Sequence, residues 1–199
     1  FAHALAGFAC AGIIGRDTPM IELTLPADFT GADTGPFIAK LTRDSGPHHA
    51  VLVGEMGAQL IFQYGGITIS LMQPPGESLL GDVVFFEPAF ARASRWIRAG
   101  SAHNTLLVTE RCDQLCIMCS QPPKKSHIDL FRHMEKACLL APQNMMIGFS
   151  GGEPLLYKDQ LFALLERVHS KRPDLRFHIL TNAQHFEEAD IERLRQDAF

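Results

Sequence analysis

The stretch NTLLVTERCDQLCIMC, residues 104–119, joins a short apolar strand pattern to a loop that carries three cysteines. Cys112, Cys116 and Cys119 follow the spacing C-x-x-x-C-x-x-C. Three clustered thiols are an odd number, so they do not all pair with one another in disulfides. The pattern therefore predicts a metal-binding loop that begins where a strand ends.

Downstream of this loop the sequence alternates between strand and helix patterns. Strands are predicted at 104–110, 145–150 and 175–183, and helices at 126–141 and 157–170, with a third helix over 187–195. Ser126 is the predicted N-cap of the first helix. Such alternation is typical of a parallel sheet. Since three strands are too few to close a barrel, residues 101–199 are expected to form the first three units of an incomplete (β/α) barrel.

Upstream of the loop, residues 1–100 show short strand patterns separated by turn residues. Candidate strands lie at 20–25, 37–42, 50–55, 58–64, 67–72, 82–87 and 91–97. Gly65-Gly66 between two of them predicts a hairpin turn. Closely spaced strands without a helical period predict a small, mostly antiparallel β domain. A structural role is the favoured interpretation, and capture of an extended peptide at an open strand edge is the alternative.

Composition narrows the classes of function. The 199 residues are 46% hydrophobic with a formal net charge of −4, and neither half is basic, which argues against nucleic-acid binding. No apolar run reaches the roughly 18 residues that span a membrane. Five cysteines without a secretory signal favour a reducing, cytoplasmic compartment. Cys138 falls on the apolar face of a predicted helix, and Cys10 is uninformative. The abrupt start and end lead us to expect a chain truncated at both ends.

The three clustered thiols admit several interpretations. They fit three buried thiols on one helix face, or a zinc site completed by His127 or His133. They also fit a [4Fe–4S] cluster, either fully ligated for electron transfer or held by three thiolates only. In the last case one iron is open to a chelator with an amine and a carboxylate, such as S-adenosylmethionine (SAM), and this interpretation is favoured.

Two motifs resemble those of the radical SAM superfamily. CDQLCIMC, residues 112–119, resembles the cluster loop, and GFSGGEPLL, residues 148–156, resembles the glycine motif of the second strand. The resemblance implies an incomplete radical SAM barrel in which the three loop cysteines ligate a [4Fe–4S] cluster. It also implies that Gly151, Gly152 and Glu153 contact the SAM amino group.

The sequence departs from the family pattern at two positions. Met118 stands where the family usually has an aromatic residue that positions adenine, and a methionine is able to make a polarizable apolar contact there. Thr181–Ala183 matches the third-strand TNG motif only in part, because Ala183 replaces glycine. Asn182 is assigned to the SAM or substrate side, with a capping role as the alternative.

A longer resemblance points to one subfamily. HNTLLVTERCDQLCIMCSQPPKK (103–125), together with GDVVFF (81–86), looks like the maturase of the His-Xaa-Ser repeat system. This implies an oxidoreductase that modifies a ribosomally made precursor peptide through a 5′-deoxyadenosyl radical. The implied partners are a second radical SAM maturase and an electron donor such as flavodoxin or ferredoxin. The alternatives are a radical SAM enzyme for another substrate class and a non-catalytic zinc or iron–sulfur partner protein.

Overall fold

The computed structural model describes residues 23–31, 35–119 and 123–196. The described chain forms two compact units. One contains the described residues up to Leu80 together with Val84–Arg95, and the other contains Gly81–Val83 and the described residues from Trp96 onward. Cys10, the start of the strand predicted at 20–25 and residues 120–122 of the subfamily motif lie outside the described residues.

Seven strands form a closed barrel. They are β1 (Thr24–Thr30), β2 (Phe37–Thr42), β3 (His49–Met56), β4 (Gln59–Tyr64), β5 (Ile67–Met72), β6 (Val83–Glu87) and β7 (Arg92–Ile97). A short 3₁₀ helix, Pro88–Phe90, joins the last two. The strand order around the barrel is β1-β5-β4-β3-β2-β6-β7, and β7 closes it by pairing antiparallel with β1. The barrel is mixed, because β2 pairs with β3 in parallel.

Alternate residues of the barrel strands form an apolar core. On β4 and β5 the inward residues are Leu60, Phe62, Ile67, Ile69 and Leu71, all of them buried. This period of two is the pattern expected for strands with one face turned to a core. A closed barrel leaves no free edge among its strands. Peptide capture at an open edge, the alternative considered for this region, is therefore wrong for the described strands.

The second unit is built on a three-stranded parallel sheet. Its elements are β8 (His103–Thr109), α1 (Phe131–Leu140), β9 (Met146–Gly151), α2 (Lys158–Lys171), β10 (Arg176–Ile179) and α3 (Glu188–Gln196). A 3₁₀ helix, Pro154–Tyr157, precedes α2, and β9 lies between β8 and β10. No helix within the described stretches combines the length and apolar character needed to cross a membrane.

The predicted fold class, an incomplete (β/α) radical SAM barrel preceded by a small, mostly antiparallel β domain, is wrong. The fold is mostly β, with a closed seven-stranded mixed barrel and a few helices. The closed barrel is made by the first seven strands, whereas the alternating strands and helices give a three-stranded sheet. Periodicity reports which face of an element is buried, but it does not report which strands pair.

The first helix also begins later than the sequence predicts. Helix α1 starts at Phe131, five residues after the predicted N-cap Ser126. The Phe131 N–H donates to the Asp129 carboxylate at 3.1 Å. The N-cap is Leu130, whose side chain makes no cap hydrogen bond, so the prediction for Ser126 is wrong.

Arg172 ties the end of α1 to the turn between α2 and β10. Its guanidinium donates to three backbone carbonyls at the end of α1, at 2.9–3.2 Å. It also donates to both carboxylate oxygens of Asp174, at 2.8 and 2.7 Å. Asp174 accepts a further bond from the Asn144 N–H at 3.0 Å. These donors, Arg172 first, hold the pKa of Asp174 well below its usual range.

Replacing Asp174 with Asn should destabilise the second unit by about 1 kcal/mol at pH 7, because the charged acceptor is lost. The folded pKa of Asp174 is lowered, so its stabilisation is present above the unfolded pKa of about 4 and is lost as the pH falls. Urea unfolding followed by the fluorescence of Trp96 at several pH values tests this. The difference between parent and variant should shrink below pH 4, and Asp44→Asn, on the exposed turn after β2, is the control. A difference that persists unchanged at pH 2 would contradict the account.

Candidate cysteine site

The cysteine loop, residues 112–119, leaves the sheet where β8 ends. Cys112 is half-buried, Cys116 and Cys119 are exposed, and none of the three is in a disulfide. The Cys119 N–H donates to the Cys116 carbonyl at 3.0 Å. The Gln114 N–H donates to the Cys112 sulfur at 3.4 Å.

Two glycines let the end of β9 pack against the start of this loop. A Cβ at Gly151 would lie 2.1 Å from the Thr109 carbonyl oxygen, and a Cβ at Gly152 would lie 2.2 Å from the Arg111 carbonyl oxygen. The Gly152 N–H donates to that Thr109 oxygen at 2.8 Å. Gly151 also has φ +147°, which disfavours any side chain. The sequence predicts a close approach of this backbone to a ligand; the neighbour found in the structure is the protein's own backbone.

Glu153 lies at the junction of three segments and is only 1% exposed. Its carboxylate accepts hydrogen bonds from the Leu155 N–H at 2.8 Å, the Thr181 hydroxyl at 2.6 Å and the Asn182 N–H at 2.8 Å. Its own N–H donates to the Arg111 carbonyl at 2.8 Å. The side chain assigned to the SAM amino group therefore has protein donors on both of its oxygens.

Residues 181–185, which follow β10, lie against the cysteine loop. His185 Nε2 is 2.7 Å from an Asp113 carboxylate oxygen, and the Gln114 amide donates to the Gln184 side chain at 2.8 Å. The hydrogen bond from His185 is the main reason why the pKa of Asp113 is lowered. The exposed Asn182 lies 3.5 Å from Asp113 and accepts the Gln184 N–H at 2.9 Å. The local turn interpretation of Asn182 thus has an observed bond, and its contact with SAM or substrate stays a prediction.

The apolar side chains of the cysteine loop point to solvent. Met118 is 92% exposed, and Leu115 and Ile117 are exposed as well. Covering apolar side chains with a ligand or partner lowers the free energy, because their surface is removed from water. The predicted contact between Met118 and adenine is sterically open and stays a prediction.

An aromatic stack that the sequence did not single out borders the loop. The rings of His127 and Tyr157 stack with centroids 3.9 Å apart, and Arg111 donates to the Tyr157 hydroxyl at 2.8 Å. His127 Nδ1 lies 3.2 Å from the Thr109 hydroxyl, and burial lowers the pKa of His127. No motif marks Tyr157, because its role depends on partners 30 and 46 positions away in the chain.

A cleft borders the same segments. It has a volume of about 580 Å³ and is lined by residues that include Tyr157, Lys158, Gln184 and His185. Small-molecule sites commonly have volumes of roughly 300–1,000 Å³. None of the described residues of the cysteine loop lines the cleft itself, but two of its lining residues, Gln184 and His185, bond to Gln114 and Asp113 of that loop.

The donor set suits an iron–sulfur cluster. Three thiols that share an eight-residue segment, two of them exposed, are the ligand chemistry that a [4Fe–4S] centre uses. Over the described residues, no group of three or more His, Cys, Asp or Glu side chains is already arranged to hold a metal ion. His127 and His133, considered as zinc ligands, are likewise not gathered with the cysteines in such a group. The match between these three thiols and an iron–sulfur cluster therefore rests on their ligand chemistry and on the position of the loop.

Comparisons of this chain with protein-family models, with curated proteins and with solved structures gave no match.

Adding a methyl group at Gly152 should disrupt the contact between β9 and the cysteine loop. Gly152→Ala places a Cβ within 2.2 Å of a backbone oxygen and 3.0 Å of the Cys112 Cβ, so we expect a loss of about 1–3 kcal/mol. Gly100→Ala is the matched control, because a Cβ there meets no atom within 4 Å. Chemical unfolding of both variants, followed by Trp96 fluorescence, tests this. Equal stability of the two variants would refute the steric argument.

Ala183 occupies a left-handed backbone conformation, with φ +63°. The glycine found in the related motif should relieve this strain, so Ala183→Gly should raise the free energy of unfolding by about 0.5–1 kcal/mol. Ala163→Gly inside α2 should lower it by about 1 kcal/mol. Thermal or urea unfolding of the pair distinguishes the two effects. A loss at both positions would show that residue 183 is not strained.

Proposed function

We propose that this chain is a radical SAM enzyme that holds a [4Fe–4S] cluster through Cys112, Cys116 and Cys119. The observation that carries the proposal is the contact between the three-cysteine loop and the Gly-Gly-Glu turn. The Glu153 N–H bonds the carbonyl of Arg111, one residue before the first cysteine. Two motifs that resemble one superfamily are separated by some thirty residues in sequence and are adjacent in space.

The proposed chemistry divides between cofactors and protein. A reduced [4Fe–4S] cluster, when bound, supplies the electron that cleaves SAM to methionine and a 5′-deoxyadenosyl radical, which takes a hydrogen atom from the substrate. Cys112, Cys116 and Cys119 would hold the cluster through their thiolates. The Gly151–Glu153 backbone and Asn182 are the proposed SAM-side groups, and Met118 is the proposed adenine contact. The protein's part is to orient these ligands and exclude water.

The proposed substrate class follows from the longer sequence resemblance. We infer a ribosomally made precursor peptide with His-Xaa-Ser repeats, modified in the cytoplasm together with a second radical SAM maturase. The electron comes from a donor such as flavodoxin or ferredoxin.

Metal content after anaerobic reconstitution with iron and sulfide tests the ligand set. The parent chain should bind about four irons. Cys112→Ala, Cys116→Ala and Cys119→Ala should each lose most of the iron and the visible absorbance. Cys138→Ala should keep both, because Cys138 is fully buried in α1 and burial raises the pKa of its thiol to about 12.

Other outcomes would identify a different function. Zinc in the aerobically purified protein, with no cluster absorbance after reconstitution, would indicate a zinc-bound partner protein. A reduced cluster whose electron paramagnetic resonance spectrum is unchanged by SAM would indicate a fully ligated electron-transfer centre. Formation of 5′-deoxyadenosine from SAM under reducing conditions, absent in the three cysteine variants, is the result expected of the enzyme.

A further inference from the structure

Both oxygens of the buried Glu153 carboxylate have internal partners. One oxygen accepts from the Leu155 N–H and the Thr181 hydroxyl, and the other accepts from the Asn182 N–H. A buried carboxylate is stable only where donors compensate its charge, and here the donors come from the start of a 3₁₀ helix and from the segment after β10. A ligand ammonium that approached this group would compete with bonds already made.

The same residue holds the base of the cysteine loop. The Glu153 N–H donates to the Arg111 carbonyl, while its side chain holds Thr181 and Asn182. Residues 182–185 then return to the loop through Asp113 and Gln114. The contacts form a closed circuit from the loop base to Glu153, on to residues 181–185, and back to the loop.

We propose that Glu153 is a positioning residue whose side chain fixes residues 181–185 against the cysteine loop. The exposed Asn182, whose own N–H Glu153 holds in place, is then left to meet a bound ligand, whereas the N–H groups of Gly152 and Glu153 are already bonded to the carbonyls of Thr109 and Arg111. The importance of this arrangement for chemistry rests on the proposed function. The circuit of contacts itself is a property of the folded chain without cofactors.

Thr181 makes the proposal testable without removing the carboxylate. Its hydroxyl donates to Glu153 and accepts the Ala183 N–H at 3.0 Å, so it shapes the turn and connects it to Glu153. Valine keeps the shape of threonine but has no hydroxyl, whereas serine keeps the hydroxyl. The pair Thr181→Val and Thr181→Ser therefore separates the hydrogen bond from packing.

Hydrogen–deuterium exchange with mass spectrometry on the full, metal-free chain is the test. Glu153→Gln puts an NH₂ group opposite a backbone or hydroxyl donor, so exchange should rise about tenfold or more in peptides covering 180–186 and 110–116. Thr181→Val should shift the same peptides by a smaller factor, and Thr181→Ser should match the parent. Peptides from β3–β5 of the barrel should not change in any variant.

Two results would overturn the proposal. Unchanged exchange at 180–186 and 110–116 in Glu153→Gln would show that the carboxylate does not hold these segments. An equal rise in the barrel peptides would show a general loss of stability. If the parent chain takes up no iron, the proposed function fails. The exchange measurement still tests the role of Glu153 in that case, because it uses the metal-free chain.

Discussion

The close approach of the end of β9 to the end of β8 is the constraint on which the candidate site depends. Parallel pairing runs along both strands and continues past them, because Gly152 still donates to the Thr109 carbonyl. Any side chain at Gly151 or Gly152 would occupy the space of that backbone. Two adjacent glycines are therefore the condition under which the first cysteine is held beside the turn that follows β9.

Burial of one negative charge organises the rest of the site. The Glu153 carboxylate is removed from water, so its hydrogen bonds must come from the protein, and they come from Leu155 and from the segment after β10. This requirement draws the segment after β10 towards the cysteine loop. The thiols themselves stay accessible at the surface, where a metal cofactor and a small ligand are able to reach them.

Local structure was predictable wherever burial alternates regularly along the chain. The strands predicted at 37–42 and 67–72 have those bounds in the structure, and the helix predicted at 157–170 is shifted by one residue. The third parallel strand is shorter than predicted, since Thr181 and Asn182 bond to Glu153 and not to a neighbouring strand. The cysteines and the Gly-Gly-Glu turn were visible as motifs. Thr181 and the stack on Tyr157 were not visible as interactions, because their partners are distant in sequence.

By itself the sequence determined the spacing of the three thiols, the glycine pair and the burial pattern of most strands and helices. Tertiary structure alone decided that the first seven strands close into a barrel. Closure requires β1 to pair with β7, for example Thr24 with Ser94, across seventy positions of chain. A period of two encodes a buried face but no partner, and the partner is chosen by the hydrogen bonds and packing of the whole chain.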